Sequence, residues 1–203
     1  MKILSCTAPK GRPREFDVEE ALTAALRVFW TRGYEGASLS DLTEAMGITR
    51  PSLYAAFGNK ETLFCKALDL YEREKLAYMR QALDAPTARE VAERLLVGAL
   101  EMQTTECDPR GCLGVISSVA CSTEAESIRE QVIARRASSM QALTDRLERA
   151  KAEGDLPGDA DIQGLTGYLS AILQGMAIQA GSGASRDELE RLVRTSLTMW
   201  PSR

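Results

Sequence analysis

Apolar residues recur at helical spacing through almost the whole chain, and no stretch shows the alternation of a half-buried strand. Turn-forming residues separate these stretches at 84–86, 107–111, 154–158 and 181–183. The pattern predicts an all-α fold of nine helices. A chain of 203 residues can bury a core without disulfides and makes one large domain or two small ones.

Two features of the composition exclude classes of function. Histidine is absent, which excludes Ser–His and Cys–His nucleophile pairs and HExxH metal sites. The five cysteines form no CxxC pair, so neither a disulfide framework nor a structural zinc site is expected. No apolar run approaches the roughly 20 residues that cross a bilayer, and the apolar patch at the amino end is short for a secretory signal. We therefore expect a cytoplasmic protein with no metal, cofactor or membrane partner, and not an enzyme.

The net charge of −4 is distributed unevenly along the chain. Residues 1–14, with Arg12 and Arg14, hold four bases and no acid, whereas residues 15–65 hold four bases and eight acids. A basic arm of this kind reaches DNA phosphates while the acidic body avoids them. We expect residues 1–14 to form a flexible arm that binds DNA.

Residues 38–60 have the spacing of a helix-turn-helix. Ser38, with Asp41 three residues later, predicts a helix start, and Gly47 suits the left-handed position after its end. Leu42 and Ala45 of this helix are predicted to face the core. A short second helix follows, and its amino end would approach base edges in the major groove. The side chains expected on DNA are Thr49, Arg50, Ser52 and Tyr54 of this second helix, with Lys60 beside a phosphate at the next helix start.

The segments GRPREFD, FWTRGYEGASLSDL and GITRPSLYAAFGNKETLF resemble the N-terminal domain of the TetR family of bacterial repressors. The resemblance extends over residues 11 to about 70 and implies that the first three helices and the start of the fourth bind DNA. It adds Ser38, Ser40 and Pro51 to the DNA-binding residues. The rest of the chain resembles the family in layout only. We expect the arm (1–14), a helix-turn-helix domain (15–60) and a helical regulatory and dimerisation domain (61–203).

Apolar residues with a few polar ones on helices four to eight predict a pocket for a small organic ligand. The alternative is that most of these side chains simply fill the core. The predicted pocket residues are Phe64, Leu68, Tyr71, Leu96, Leu100, Gln103, Leu113, Ile116, Met140, Leu143, Tyr168, Ile172 and Met176.

The last two helices carry apolar stripes that predict a four-helix dimer interface, two helices from each subunit. The alternative is that these stripes pack within one chain. The predicted interface residues are Leu165, Leu169, Leu173, Gly175, Leu189, Leu192, Val193 and Leu197.

These features together predict a homodimeric, ligand-responsive transcriptional regulator, a repressor released from a palindromic double-stranded operator by a small organic effector. Three alternatives remain. Cys107 and Cys112 flank a turn in which Arg110 would lower a thiol pKa, so the protein would sense oxidants or electrophiles. A helical transferase or lyase would use the Cys112 thiol, and a helical adaptor would bind no DNA.

Overall fold

A computed structural model describes residues 16–119 and 125–201, and every regular element in these two ranges is a helix. The helices are α1 (Val18–Gly36), α2 (Leu39–Met46), α3 (Arg50–Phe57), α4 (Lys60–Glu74), α5 (Ala77–Ala82), α6 (Ala88–Thr104), α7 (Leu113–Val119), α8 (Glu126–Ala152), α9 (Ile162–Gly181) and α10 (Arg186–Thr198). The all-α prediction is confirmed, with ten helices in the described ranges where nine were predicted. No helix in these ranges is long and apolar enough to span a bilayer.

The additional helix arises because the helical segment that begins at Lys60 divides at Lys75–Leu76. Leu76 has φ −102° and ψ 9°, which is outside the α-helical region, and α5 begins at the next residue. The Lys75 ammonium lies 2.6 Å from the carboxylate of Asp108 in the α6–α7 loop, and Leu76 packs against the core. These tertiary contacts stabilise the bend, and nothing in the local sequence requires it.

Most helix starts follow from their capping residues. The Asp17 carboxylate accepts hydrogen bonds from the amides of Glu19 and Glu20, at 2.8 and 3.2 Å. Thr87 caps α6 by accepting from the Glu90 amide at 3.1 Å. Each cap satisfies an amide that the first helical turn leaves without an internal partner. The short polar residues of the sequence therefore fix where the helices begin.

Two hydrophobic clusters form the core. The first joins α1, α2, α3 and α4 with three side chains from α7 and α8, namely Leu113, Ile128 and Val132. The second joins α5, α6, α8, α9 and α10. Arg146 of α8 links this helix to the segment after α5, since its guanidinium donates to the Leu83 and Ala85 carbonyls at 3.0 and 2.6 Å. The turn between α5 and α6 is thereby held against α8.

Gly33 connects the two halves of the molecule. It interrupts α1 with φ 71°, and a Cβ there would lie 3.3 Å from the Ile116 side chain of α7. Close by, the Trp30 indole N–H donates to the Gly111 carbonyl at 2.8 Å. A residue without a side chain therefore both turns the chain and lets α7 approach α1.

The predicted dimer interface is wrong at several positions. Leu169, Leu189 and Val193 are buried in the second cluster of their own subunit, so they cannot also form a surface between subunits. Their helical stripe instead packs α9 and α10 onto α6. The remaining predicted leucines, Leu165, Leu173, Leu192 and Leu197, are half-buried against the same cluster.

The outward face of α9 carries mostly small residues. Gly167 and Ala171 are exposed, and the Ile178 side chain is 57% exposed. Apart from the neighbouring residues and the backbone of α9 itself, no described atom lies within 4 Å of where a Cβ on Gly175 would stand. Gly175 is therefore the predicted interface residue with open space beside it. We define the α9 face by these four residues.

Candidate nucleic-acid interface and effector cavity

A tight turn at Gly47 joins α2 to α3. Gly47 has φ 62° and ψ 29°, and its amide donates to the Glu44 carbonyl at 3.1 Å. Leu42 of α2 and Leu53 of α3 are fully buried. Ala45 is exposed, and the prediction that it faces the core is wrong, because Met46 fills that place. The opposite side of α3 is left facing outward.

The outward side of α3 collects the residues predicted to contact DNA. The Arg50 guanidinium donates to the Ser40 hydroxyl of α2 at 2.8 Å. The hydroxyls of Thr49 and Ser52 lie 2.9 Å apart at the start of α3. The Tyr54 side chain is 49% exposed. Arg50 is thus held in place from the neighbouring helix and presents a planar fork of donors to the outside.

Three further predicted residues flank this side. Pro51 is exposed in the first turn of α3, and Ser38 is exposed at the start of α2. The Lys60 ammonium lies 4.4 Å from the centroid of the Tyr34 ring, a cation–π contact at the start of α4. Burial lowers the pKa of Lys60. An ammonium beside the free amides of a helix start forms a site for a phosphate. The predicted Arg12 and Arg14 lie outside the described residues.

Aromatic contacts attach α4 to α1. The Phe29 and Phe64 rings meet edge to face with centroids 5.1 Å apart, and Tyr34 meets Phe64 at 5.3 Å. Such pairs add to the stabilisation from burial alone. The first part of α4 therefore belongs to the same rigid unit as α1. Phe64 lies in this unit, so its assignment to the pocket is wrong.

Helix α2 starts with a capping box, in which the carboxylate of Asp41 has a low pKa. Asp41 accepts from the Ser38 hydroxyl and amide at 2.6 and 3.0 Å, and the Arg32 guanidinium lies 2.6 Å from its other oxygen. The Ser38 hydroxyl and amide, with Arg32, lower the pKa of Asp41 to about 2. Each of these partners stabilises the charged carboxylate.

Asp41 is expected to titrate with a midpoint near pH 2, measured from its carboxyl carbon shift by NMR. Since its ordinary value is 3.8, the stabilisation from this cap is complete above pH 3.8 and is lost as the pH falls through about 2. Ser38→Ala should raise the midpoint, because Ser38 supplies the strongest contacts. A midpoint near 3.8 in the parent protein would contradict the capping box.

The second candidate site is a cavity of about 380 Å³ lined by residues of α4, α5, α6, α7, α8 and α9. The predicted residues Leu68, Tyr71, Gln103, Met140 and Leu143 do line it. The other predicted pocket residues do not. Leu113 is in the first cluster; Leu96, Leu100 and Met176 are in the second; Tyr168 and Ile172 pack against the second; and Ile116 lines a separate cavity.

Several residues of the cavity lining were not predicted from the sequence. Tyr78 of α5 is one, and a Cβ on Gly98 of α6 would overlap its ring, so only glycine lets the ring lie there. Burial raises the pKa of Tyr78 and of Tyr71. Both phenols therefore stay protonated at neutral pH and can donate hydrogen bonds into the cavity. A glycine inside an otherwise regular helix was the only signal of this arrangement.

A line of polar contacts joins α4, which begins in the helix-turn-helix unit, to α8, which lines the cavity. The contacts recur about once per helical turn along both helices. They are Ser127 to Glu61 at 2.8 Å, Cys65 to Gln131 at 3.1 Å, and Arg135 to Asp69 and Glu72 at 2.6 and 2.8 Å. The two helices are therefore linked by polar contacts at three successive levels.

The two cysteines of the predicted thiol switch occupy different positions. Cys107 is exposed, and its carbonyl accepts from the Arg27 guanidinium. Cys112 is half-buried and lines both the 380 Å³ cavity and the neighbouring cavity that includes Ile116. Arg110 donates to the Ala184 carbonyl at 3.3 Å and so points its charge toward the end of α9.

Comparison with known protein families gives matches to two models. Residues 21–66 match the model described as bacterial regulatory proteins, tetR family. Residues 77–196 match the model described as the tetracyclin repressor-like C-terminal domain. The first match spans α2 and α3, and the second spans α5 to α9, which supply most of the cavity lining.

Relatives of known name agree with this. The HTH-type transcriptional repressor ComR of Escherichia coli (strain K12) is 36% identical over 194 residues, which cover 95% of this chain and 92% of ComR. The HTH-type transcriptional repressor BdcR of the same organism is 27% identical over 179 residues, which cover 88% of this chain and 86% of BdcR.

Solved structures show the same fold. A cysteine mutant of the TetR family transcriptional regulator CifR, complexed with 26bp double-strand operator DNA, has a TM-score of 0.89 and 43% identity, and covers 94% of this chain and 100% of its own. A putative TetR transcriptional regulator from Rhodococcus sp. RHA1 has a TM-score of 0.64 and 38% identity, covering 92% of this chain and 100% of its own. The chain therefore belongs to the tetR family of bacterial regulatory proteins, and it is a helix-turn-helix transcriptional regulator.

Proposed function

We propose that this protein is a cytoplasmic homodimeric repressor that binds a palindromic operator and leaves it when a small organic molecule enters the cavity. The outward side of α3 would read bases in the major groove, with Arg50 on a guanine and Tyr54 on a phosphate or a thymine methyl. The start of α4, with Lys60, would bind a phosphate. The repressor ComR and the operator-bound CifR support the repressor role.

One observation carries the regulatory part of this proposal: α4 belongs to both sites. Its first residue is Lys60, and Leu68 and Tyr71 on the same helix line the cavity. A ligand that favours one position of α4 would change the separation of the two α3 helices in a dimer, and operator affinity would fall. The polar contacts between α4 and α8 would couple the far wall of the cavity to the same movement.

The α9 face supports the dimer. Small residues let two helices approach closely, and the exposed Ile178 would add apolar surface to the contact. Two copies related by a two-fold axis would present two α3 helices on one side. Their separation would need to match successive major grooves, roughly 34–36 Å or somewhat more.

A titration with fragments of the upstream intergenic DNA tests the DNA-binding role. We expect sequence-dependent binding whose log K falls by about 0.9 per contacted phosphate as log salt rises. Lys60→Ala should weaken binding to all sequences alike and reduce the salt slope by about 1. Equal affinity for the native fragments and for scrambled DNA of the same length would contradict the proposal.

The alternatives from the sequence remain less supported. The thiol switch stays a prediction, and of its two cysteines Cys112 is the one that lines the effector cavity. The enzyme and adaptor alternatives have no feature of the described residues that favours them over transcriptional regulation.

A further inference from the structure

Two adjacent arginines of α8 line the cavity and differ in their partners. Arg135 lies 2.6 and 2.8 Å from two carboxylates of α4, those of Asp69 and Glu72. The guanidinium of Arg136 donates to the Ser118 hydroxyl of α7 at 3.0 Å. Within the described ranges, no carboxylate lies within 4.0 Å of Arg136. Among the described residues, Arg135 thus has carboxylate partners, whereas the partner of Arg136 is an uncharged hydroxyl.

A half-buried guanidinium without an anion is costly, because it has lost part of its water and gained no opposite charge. An entering carboxylate would recover that cost through charge-assisted, bidentate hydrogen bonds. The other charged groups that line the cavity do not remove the attraction. Glu72 is already paired with Arg135, and Arg80 is exposed and adds a further positive charge.

The rest of the cavity suits an uncharged apolar body. Its walls include Leu68, Leu95 and Leu173, and the protonated hydroxyls of Tyr71 and Tyr78 act as donors. The Tyr71 hydroxyl lies 3.9 Å from the weak sulfur acceptor of Met102, and it also forms hydrogen bonds with the Cys112 side chain and the Leu113 backbone. A cavity volume of about 380 Å³ lies at the lower end of the range found for small-molecule sites.

We propose that the effector is a small organic acid, with its carboxylate on Arg136 and its hydrocarbon body against the leucine walls. This inference rests on the proposed function, since it names the chemical class of the effector for the same cavity. Arg136 is the residue that selects for negative charge. Ser118 holds the guanidinium in position for it.

The test compares three probes of equal length and different charge: octanoate, octanamide and octylamine. Isothermal titration of the full-length protein without DNA measures the Kd of each. We expect octanoate to bind about tenfold or more tightly than the amide, and the amine to bind least tightly. Arg136→Gln should make octanoate and octanamide bind equally. Arg149→Gln, the matched control at an exposed position of α8 outside the cavity lining, should keep the preference for octanoate.

Arg136→Lys provides a second variant for the case in which Arg136→Gln misfolds. It retains the charge and loses the planar fork, so it should keep a reduced preference for octanoate. Circular dichroism melting compares the folding of all variants. The inference is overturned if Arg136→Gln keeps the parent's preference, if the amide or amine binds as tightly as octanoate, or if none of the three binds at millimolar concentration.

Operator release, measured separately, distinguishes this inference from the proposed function. Octanoate that binds through Arg136 without weakening operator binding would contradict the regulatory role of the cavity and leave its charge selectivity intact. Equal operator release by octanamide and octanoate would contradict the charge selectivity of the cavity and leave its regulatory role intact.

Discussion

Replacing Gly175 by glutamate is expected to convert the dimer to monomers and to lower operator affinity by about a hundredfold or more, because linked half-site contacts become independent ones. The substitution leaves the subunit's own packing alone, since, apart from the neighbouring residues and the backbone of α9 itself, no described atom lies within 4 Å of the new Cβ. Glutamate is also a better helix former than glycine by several tenths of a kcal/mol. A loss of dimerisation and of operator affinity would therefore result from the bulk and the like charge that the two glutamates place between the α9 faces.

Sedimentation equilibrium gives the oligomeric state, and fluorescence anisotropy with labelled operator gives the affinity. The matched control is Gly158→Glu, the same substitution at an exposed turn position where a Cβ also meets no described atom. It should remain dimeric and bind the operator like the parent. A Gly175→Glu protein that stays dimeric would show that the subunits associate through a different surface.

Replacing Arg50 by alanine is expected to weaken operator binding about 5- to 150-fold, which corresponds to about 1–3 kcal/mol for a bidentate contact with a guanine. The loss should be confined to one base pair in each half-site, and preference at that pair should disappear. Arg50 is exposed, and its hydrogen bond to Ser40 lies at the surface. The variant should therefore fold like the parent.

Binding measured against operators with each base pair changed in turn locates the effect. Arg149→Ala is the control, because it removes one positive charge from α8, where the side chain is 61% exposed. Arg149 lies 22 residues beyond Ser127, which contacts α4, and so about 33 Å along the helix from the helix-turn-helix unit. A uniform loss over all sequences in Arg50→Ala would show that Arg50 contacts phosphate and reads no base.

The helix starts and the helix-turn-helix could be predicted because their causes are local. Asp17, Ser38 and Asn59 cap the amides two or three residues away, and the left-handed backbone at Gly47 is a property of that one residue. The outward side of α3 follows from the same spacing, once Leu53 and Phe57 are recognised as its buried side. No distant contact is needed to decide any of these features.

The cavity and the dimer face were predicted less well because the spacing of apolar residues along a helix does not show which other element covers them. Leu169 and Val193 have the spacing of an interface, yet α6 of the same subunit covers them. Leu96 and Leu143 are both apolar helix residues, and only the packing of six helices decides that Leu143 lines the cavity and Leu96 does not.

The sequence by itself determined the all-α class, most helix boundaries and the DNA-reading helix, since capping, turn geometry and helical period act over a few residues. The tertiary structure alone decided the bend at Lys75–Leu76 and the packing of the Tyr78 ring against Gly98. It also decided which partners Arg135 and Arg136 contact. Each of these depends on side chains that are distant in the chain and adjacent in space. Burial and charge pairing are properties of that adjacency, so no local pattern encodes them.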